Sequence, residues 1–232
     1  MIPLRGVIFD LDDTLFDCTG QLTEPARRRA AAVLSIHTSD ATDHDLTCLQ
    51  NDLAEHLSSS DTIREIGNRY GLPSSVVEEA LLTYNCDDVP EIHAYSHALS
   101  TLEALVSEGL LLSLVTTGRR KRQLEKVDRL GLSAYFKVTE NVFIHQPDKD
   151  HPHKEKHLKE ALAASGLRAA ETLSVGDKLY SDIHIGNQMG LITVRVRKGR
   201  QRLLEPTTST EEPAYDIEEL KELIPIVQAR PS

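Results

Sequence analysis

An apolar run that leads straight into carboxylates restricts the folds open to this chain. Residues 6–17 read GVIFDLDDTLFD, so a short β-branched and aromatic segment is followed at once by Asp10, Asp12 and Asp13. A segment of that composition is typical of a parallel strand buried on both faces. Carboxylates at the end of such a strand repel one another and are costly to bury. The sequence therefore favours a fold in which this strand end forms a binding or catalytic site.

Strand and helix patterns alternate through the C-terminal part of the chain. The segments LLLSLVTT, TLSVGD and ITVRVR have strand composition, and amphipathic helical patterns such as KEKHLKEALAASGL separate them. We also expect an extended segment near residues 136–144 and a final helix over 217–228. This alternation predicts an α/β fold with a doubly wound, Rossmann-like parallel sheet, whose binding crevice lies at the carboxyl ends of the strands.

A different pattern interrupts the alternation after the first strand. Between Glu24 and Cys86, four segments carry apolar residues at helical spacing, with Asp, Pro or Ser near their starts. We expect three or four helices in this part of the chain. The resulting prediction is an α/β core made of residues 1–17 and 94–232, with an all-helical domain of residues 18–93 inserted into it.

Side chains suited to cations or phosphate fall at the ends of three predicted strands. Asp10 and Asp12 follow the first strand, Thr116 lies at the end of a second, and Asp177 with Asp182 follows a third. In a doubly wound sheet these ends converge on one crevice. Mg²⁺ takes oxygen ligands and keeps coordination positions for water and a phosphate. The sequence therefore predicts a magnesium ion that offsets the repulsion among the carboxylates and is shared with an anionic substrate.

Charge and hydropathy exclude several classes of partner. A chain of 232 residues with a formal net charge of −10 lacks the excess of Lys and Arg that binding to nucleic acid requires. The longest strongly apolar run, residues 109–115, is far too short to span a bilayer. We expect no signal peptide, because Asp10 lies so near the start, and Cys18, Cys48 and Cys86 lack paired redox or metal spacing. We expect a cytoplasmic protein that binds neither membranes nor nucleic acid.

Three short motifs occur in order along the chain. DLDDT has the form Asp-x-Asp-x-Thr, LVTTG places threonines at the end of a strand, and VGDKLYSD contains Gly-Asp followed by a spaced Asp. They resemble the first, second and fourth motifs of the haloacid dehalogenase superfamily, in its phosphatase branch with a small helical cap inserted after the first strand. QLEKVDRLGL and GNQMGLITVRVRKG are also typical of capped relatives.

The resemblance implies a Mg²⁺-dependent phosphomonoester phosphatase that acts on a small phosphorylated metabolite. By this likeness Asp10 is the nucleophile that forms an aspartyl-phosphate, and Asp12 serves as general acid and then as general base. Mg²⁺ would be held by Asp10, the carbonyl of Asp12 and Asp177, with Asp182 supporting the metal from outside its direct ligands. The cap would supply most contacts to the leaving group.

The third motif of the superfamily is a lysine, and the segment HQPDKDHPHKEKHLKEAL offers Lys149, Lys154 and Lys156. Lys154 begins a KEK that resembles the Lys-Thr-Lys-Glu form of some relatives and directly precedes an amphipathic helix, so we favour it. Lys149 stands three residues before a proline, as in the Lys-Pro-Asp-Pro form, and is the alternative. The side chains expected to hold the phosphoryl oxygens are Thr116, Thr117 and Lys154.

Two other functions are compatible with the same residues. A phosphomutase keeps both aspartates and protects the phosphorylated enzyme from water, and a non-catalytic binding protein would use the scaffold without turnover. Among phosphatase substrates, phosphoglycolate, small sugar phosphates, glyceraldehyde 3-phosphate and nucleoside monophosphates remain open.

A histidine-rich segment suggests a second metal site. The residues in question are His145, His151, His153 and His157. Histidines four apart on a helix can bind zinc, but no cysteine or third converging ligand accompanies them. We therefore favour a solvated loop and helix face over a zinc site.

Overall fold

The computed structural model describes residues 3–54, 57–86, 89–146 and 154–230. The chain divides into two compact units, one made of Met1–Thr19 with Val89–Ser232 and the other of Gly20–Asp88. The first unit contains the sheet and the candidate site. The second consists of helices in its described part.

A parallel sheet organises the first unit. Its strands are β1 (Gly6–Phe9), β2 (Leu111–Thr117), β3 (Val142–His145), β4 (Thr172–Gly176), β5 (Ile192–Val196) and β6 (Tyr215–Ile217). The order across the sheet is β3-β2-β1-β4-β5-β6, and every neighbouring pair is parallel. This order reverses direction between β1 and β4, which is the topology of a doubly wound sheet. The predicted fold class is confirmed.

Four helices form the second unit. They are α1 (Glu24–Ser35), α2 (Asp43–Leu53), α3 (Ser59–Arg69) and α4 (Ser74–Tyr84). The start of α2 is fixed by reciprocal hydrogen bonds between Thr42 and Asp45, and Ser58 caps α3 by accepting from the backbone N–H of Asp61. One buried cluster from all four helices holds the unit together. Its members are Ala30, Ala31, Leu34, Leu46, Ile63, Ile66, Val76 and Ala80.

Helices also connect the strands of the first unit, and a last helix follows β6. They are α5 (Ala98–Ser107), α6 (Arg120–Arg129), α7 (Glu155–Ser165), α8 (His184–Gln188) and α9 (Leu223–Gln228). Ile8 and Val115 of adjacent strands pack with Leu158 of α7 and Ile185 of α8 in one buried cluster. Helices α7 and α8 therefore cover the same face of the sheet.

Three elements differ from the sequence prediction. The extended segment expected near residues 136–144 is a strand only from Val142, because the Asn141 side chain closes a turn by accepting the backbone N–H of Lys137 at 2.6 Å. The edge strand β6 was not predicted. Its last residue, Ile217, is the first residue of the predicted final helix. The observed α-helix begins later, at Leu223, so that Pro225 falls within its first turn, where proline is tolerated.

The two ends of the helical insertion are joined at the sheet domain. Phe16 forms an isolated antiparallel bridge with Ala94, and the backbone N–H of Tyr95 donates to the carbonyl of Leu15 at 2.9 Å. The chain therefore leaves and re-enters the first unit through one pair of hydrogen-bonded segments.

In the part of the chain that the structure describes, no helix combines the length and the apolar character that crossing a bilayer requires.

The loop after β1 contains a residue in the left-handed region. Asp13 has φ 61°, and its carboxylate accepts the backbone N–H and the hydroxyl of Thr19 at 2.7 and 2.6 Å. Gly199, in the loop after β5, lies directly against it, because a Cβ at that position would be 2.5 Å from the Asp13 Cγ. Gly199 itself has φ +63°. Asp13 therefore has a structural role in the loop after β1.

We expect Gly199→Ala to destabilise the protein more than Gly190→Ala does. Gly190 is also left-handed, with φ +76°, but a Cβ there would meet no atom within 4 Å. Gly190→Ala should cost about 1 to 2 kcal/mol of unfolding free energy from the backbone alone. Gly199→Ala should cost about 1 to 3 kcal/mol more, because Asp13 has to move. Urea unfolding of both variants measures the difference, and equal losses would contradict the contact.

Candidate active site

Three neighbouring strands end at one edge of the sheet, and polar residues lie at or just after the end of each strand. The last residue of β1 pairs with Leu114 of β2 and with Val175 of β4. Asp10 then donates its backbone N–H to the Val175 carbonyl at 2.9 Å, which continues the pairing by one residue. Thr116 and Asp177 each follow their paired strand residue by two positions. The sheet register thus brings residues from three separate motifs to one place.

Three carboxylates cluster at this edge. Asp10, Asp177 and Asp182 are all buried, and one oxygen from each lies within 4.8 Å of the others. Carboxylates at this separation repel one another and have lost most of their hydration. Such a cluster requires positive charge in direct contact with it.

Lys154 supplies that charge. Its side chain is 5 % exposed, and its Nζ lies 2.8 Å from Asp10 Oδ1 and forms an ion pair with Asp182 Oδ1. The ammonium also approaches the carbonyl of Val115 at 3.5 Å. Lys156 is exposed and faces Glu160 instead, and Lys149 lies outside the described residues. Of the described lysines in the predicted segment, Lys154 is therefore the one at the cluster.

The turn after β4 holds Asp182 and adds a second cation. Asp182 Oδ2 accepts the backbone N–H of Lys178 at 2.9 Å. The close approach requires glycine at position 176, because a Cβ on Gly176 would overlap the Asp182 carboxylate. The Lys178 Nζ lies 3.6 Å from Asp177 Oδ1. Both oxygens of Asp182 are thus engaged by lysine residues, whereas the cation near Asp177 among the described residues is in a looser ion pair.

Burial and the nearby lysines act in opposite directions on the pKa values of the three carboxylates. Burial raises the pKa of Asp10 and of Asp177, and nearby lysines offset only part of that effect. For Asp182 the charges of Lys154 and Lys178 outweigh burial, and its pKa is lowered. Burial acts against the Lys154 ammonium, but Asp10 and Asp182 outweigh it and raise the pKa of Lys154. Lys154 therefore stays charged.

Asp12 has separate partners, although it follows Asp10 by two residues. Its Oδ1 and Oδ2 lie 2.8 and 2.9 Å from the Nζ of Lys126, and Gln123 Nε2 donates to Oδ2 at 3.2 Å. Burial acts to raise the pKa of Asp12, but the charge and hydrogen bonds of Lys126 outweigh it, and the pKa is lowered. Asp12 is therefore a carboxylate in this arrangement.

The two predicted phosphate-binding threonines lie next to this group. Thr116 is fully buried, and its Oγ1 accepts a hydrogen bond from Gln123 Nε2 at 2.6 Å. Thr117 is exposed, and its carbonyl oxygen accepts from the same amide at 3.1 Å. Because Gln123 donates to the Thr116 oxygen, the hydroxyl hydrogen of Thr116 is left to donate to another group.

The carboxylate cluster has the properties of a site for a hard divalent cation. Asp10 Oδ2 and Asp177 Oδ1 are buried, and neither accepts a hydrogen bond from any described residue. Buried carboxylate oxygens of this kind are the ligands that Mg²⁺ and Ca²⁺ take, whereas Zn²⁺ favours nitrogen and sulfur. The residues present therefore fit the predicted class of metal.

Comparison with protein families identifies the chain. Residues 7–196 match the family described as haloacid dehalogenase-like hydrolase. The chain belongs to that family. The resemblance in the motifs and the prediction of a hydrolase are thereby confirmed.

Curated relatives of this haloacid dehalogenase-like protein extend over nearly its whole length. A protein of Methanocaldococcus jannaschii named glyceraldehyde 3-phosphate phosphatase is 31 % identical, and the match covers 97 % of each chain. A protein of Pyrococcus furiosus with the same name is 29 % identical over 98 % of this chain and 95 % of its own.

A solved structure from Haemophilus somnus, described as a predicted phosphoglycolate phosphatase, superposes with a TM-score of 0.72. It is 18 % identical, with 98 % of this chain and 100 % of the other covered, so the likeness concerns the fold.

Three site residues of this haloacid dehalogenase-like chain were not predicted from its sequence. Gln123 and Lys126 lie in a segment whose pattern predicts a helix and no function, and Lys178 lies beside Asp177 in VGDKLYSD. A signal for the first two exists, because they share the buried stripe of α6 with Val127 and Leu130 at positions i, i+3, i+4 and i+7. Charged and amide side chains in such a stripe indicate a buried polar partner.

The histidines show no metal-ligand set among the described residues. His145 and His157 are in edge contact, with ring centroids 5.3 Å apart. The one group of three potential ligands found in the described part of the chain is the carboxylate cluster. His151 and His153 lie outside the described residues.

Proposed function

We propose that this chain is a Mg²⁺-dependent phosphomonoester phosphatase that uses Asp10 as its nucleophile. The observation that carries the proposal is the environment of Asp10. One of its oxygens is paired with the buried Lys154 ammonium, and the other accepts no hydrogen bond from the described residues. A carboxylate oriented in this way has a fixed position and one oxygen ready to bond to phosphorus or metal.

Asp10, Asp177 and the backbone carbonyl of Asp12 would hold the Mg²⁺, with Asp182 acting through Lys154 and the turn after β4. When bound, the ion would neutralise charge on the phosphoryl group and offset the repulsion among the carboxylates. The engagement of both Asp182 oxygens by lysine residues supports its placement outside the direct ligands.

The chemistry of the chain divides between Asp10 and Asp12. An oxygen of Asp10 attacks phosphorus, the ester P–O bond breaks, and Asp12 gives its proton to the departing oxygen. Asp12, now a carboxylate, takes a proton from water, whose oxygen attacks the aspartyl-phosphate and releases inorganic phosphate and Asp10. A bound phosphate favours the protonated form that Asp12 needs in the first step, because its negative charge counteracts that of Lys126.

Thr116, Thr117 and Lys154 would bind the phosphoryl oxygens. The Thr116 hydroxyl is free to donate, since its own oxygen already accepts from Gln123. Beyond its bond to Asp10, Lys154 has two further N–H donors, of which one faces Asp182 and the other approaches the Val115 carbonyl at 3.5 Å. A buried ammonium beside the nucleophile stabilises negative charge without first reorganising water.

The names of the relatives favour a three-carbon substrate. The relatives from Methanocaldococcus jannaschii and Pyrococcus furiosus are both named for glyceraldehyde 3-phosphate. We therefore propose a small phosphorylated metabolite as the substrate class and glyceraldehyde 3-phosphate as the first compound to test. Phosphoglycolate, a sugar monophosphate and a nucleoside monophosphate complete the panel.

We expect release of inorganic phosphate from p-nitrophenyl phosphate and from at least one panel compound with Mg²⁺, and its loss in chelator. Asp10→Asn should lower turnover by on the order of 10³-fold or more, because an amide is a poor nucleophile, while circular dichroism stays that of the wild type. Phosphate release by Asp10→Asn near the wild-type rate would contradict the assignment. An isomeric phosphate ester in place of free phosphate would identify a mutase.

Asp12→Ala should separate substrates by their leaving groups. Glyceraldehyde 3-phosphate has an alkoxide leaving group that needs a proton, so its kcat/KM should fall by about 10² to 10⁴-fold. Nitrophenolate leaves without one, so kcat/KM for p-nitrophenyl phosphate should change far less. Equal losses on the two substrates would argue against acid catalysis by Asp12.

Charge deletion distinguishes the candidate motif lysines. Lys154→Ala should lower turnover by about 10² to 10³-fold, since it removes a preorganised donor beside the nucleophile. Lys149→Ala and Lys156→Ala should remain near the wild-type rate, and all three are assayed on p-nitrophenyl phosphate with Mg²⁺. Loss of activity in Lys149→Ala, with Lys154→Ala active, would reassign the third motif.

A further inference from the structure

Helix α6 directs two buried polar side chains at Asp12. Gln123 is 2 % and Lys126 4 % exposed, although both belong to the strongly charged segment RKRQLEKVDR. Their neighbour Lys121 on the same helix is exposed. Two buried polar residues one turn apart therefore face the loop after β1, while other charges of α6 face solvent.

The contacts engage both oxygens of Asp12. Lys126 Nζ lies 2.8 Å from Oδ1 and 2.9 Å from Oδ2, and Gln123 Nε2 adds a hydrogen bond to Oδ2 at 3.2 Å. The amide orientation of Gln123 follows from its partners, because the Thr117 carbonyl and the Asp12 carboxylate can only accept. The two hydrogens of this amide serve three acceptors, so one of them is shared. The rotation of the Asp12 carboxylate is thus restrained from two sides.

The same amide connects Asp12 to the candidate phosphate site. Gln123 Nε2 donates to Thr116 Oγ1 at 2.6 Å, and Thr116 is on the strand next to β1. The spacing between the Asp12 carboxylate and the Thr116 hydroxyl is therefore set by one side chain. Proton transfer to a leaving oxygen depends on such spacing, and a misplacement of about 1 Å can cost about 10²-fold in rate.

Stability alone does not account for this arrangement. Removing a lysine ammonium from water is costly, and an apolar residue in the stripe beside Val127 would pack without that cost. Asp12 itself keeps 22 % of its side chain exposed, so it retains partial contact with water. The burial of Lys126 against the partly exposed Asp12 is therefore better explained by the catalytic task of Asp12 than by stability.

We propose that Lys126 and Gln123 are positioning residues that hold the Asp12 carboxylate in place for its two proton transfers. The proposal rests on the phosphatase function proposed above. Neither residue touches the reacting phosphoryl group in this scheme. Lys126 acts through Asp12, and Gln123 acts through Asp12 and the Thr116 hydroxyl. Their loss should therefore reproduce, in weaker form, the kinetic signature of losing Asp12.

The test compares Lys126→Met with the wild type on glyceraldehyde 3-phosphate and p-nitrophenyl phosphate. For the first substrate, kcat/KM should fall by about 10 to 10²-fold, and for the second it should stay within about threefold. Hydrolysis of the aspartyl-phosphate also needs Asp12, so Lys126→Met should show a pre-steady-state burst of nitrophenolate that the wild type lacks. Gln123→Leu, which deletes no charge, should shift both measurements in the same direction.

Two controls separate positioning from a structural role. Lys121→Met removes a lysine from the exposed side of α6 and should leave both substrates unchanged. In an Asp12→Ala background, Lys126→Met should cause no further loss on glyceraldehyde 3-phosphate, because a residue that acts through Asp12 has nothing left to position.

The outcomes distinguish this proposal from the function on which it rests. Equal losses on both substrates, or a further loss in the Asp12→Ala background, would overturn the positioning role and leave the phosphatase intact. A wild-type protein that releases no phosphate from any substrate would overturn both. Poor folding of Lys126→Met would shift the decision to Gln123→Leu, judged by the same two criteria.

Discussion

The buried ammonium of Lys154 permits the other charged residues of the site to occupy their positions. It is shared by Asp10 and Asp182, which lie with Asp177 in a cluster that repels itself. Lys154 stands at the beginning of α7, where the helix dipole disfavours a cation. Its placement therefore serves the carboxylates rather than the helix. Without it, Asp10 and Asp182 would lose their shared ion pair in the protein interior, and Lys178, 3.6 Å from Asp177, would be left as the nearby cation.

Two cations divide the carboxylates of the first motif between them. Asp10 is paired with Lys154 and has its pKa raised by burial, whereas Asp12 is paired with Lys126 and has its pKa lowered. Alternation along an extended segment sends residues i and i+2 to the same side, yet the partners come from different helices, α7 and α6. Environments that separate the protonation of neighbouring carboxylates are typical of sites where the two perform different tasks.

The sequence predicted the elements whose structure depends on local composition and missed those whose structure depends on contacts with distant parts of the chain. The strands β1, β2, β4 and β5 are buried, so their composition alone identified them. β6 has three residues at the sheet edge, and its strand conformation comes from pairing with β5, which local composition does not encode. The carboxylate cluster followed from motif spacing together with the rule that parallel strands end at one edge.

The sequence did not predict the roles of side chains on helices, because those roles depend on which side of the helix faces the sheet. Gln123 and Lys126 lie among basic residues, and such a segment is also typical of a solvent-exposed helix face. The structure decides between the two, because it shows which side of α6 is buried. Lys154 was favoured over Lys149 and Lys156 because its KEK resembles the Lys-Thr-Lys-Glu form and directly precedes a predicted helix, and in the structure it is the residue before α7.

The joined ends of the helical insertion have an evolutionary consequence. Because Phe16 and Ala94 are bridged within the sheet domain, the chain between them is attached at one place and imposes no register on the strands. A segment of another length or composition would fit between the same two anchors, with the carboxylate cluster unaltered. Variation of the insertion among related genes is therefore compatible with an unchanged carboxylate cluster at the strand ends.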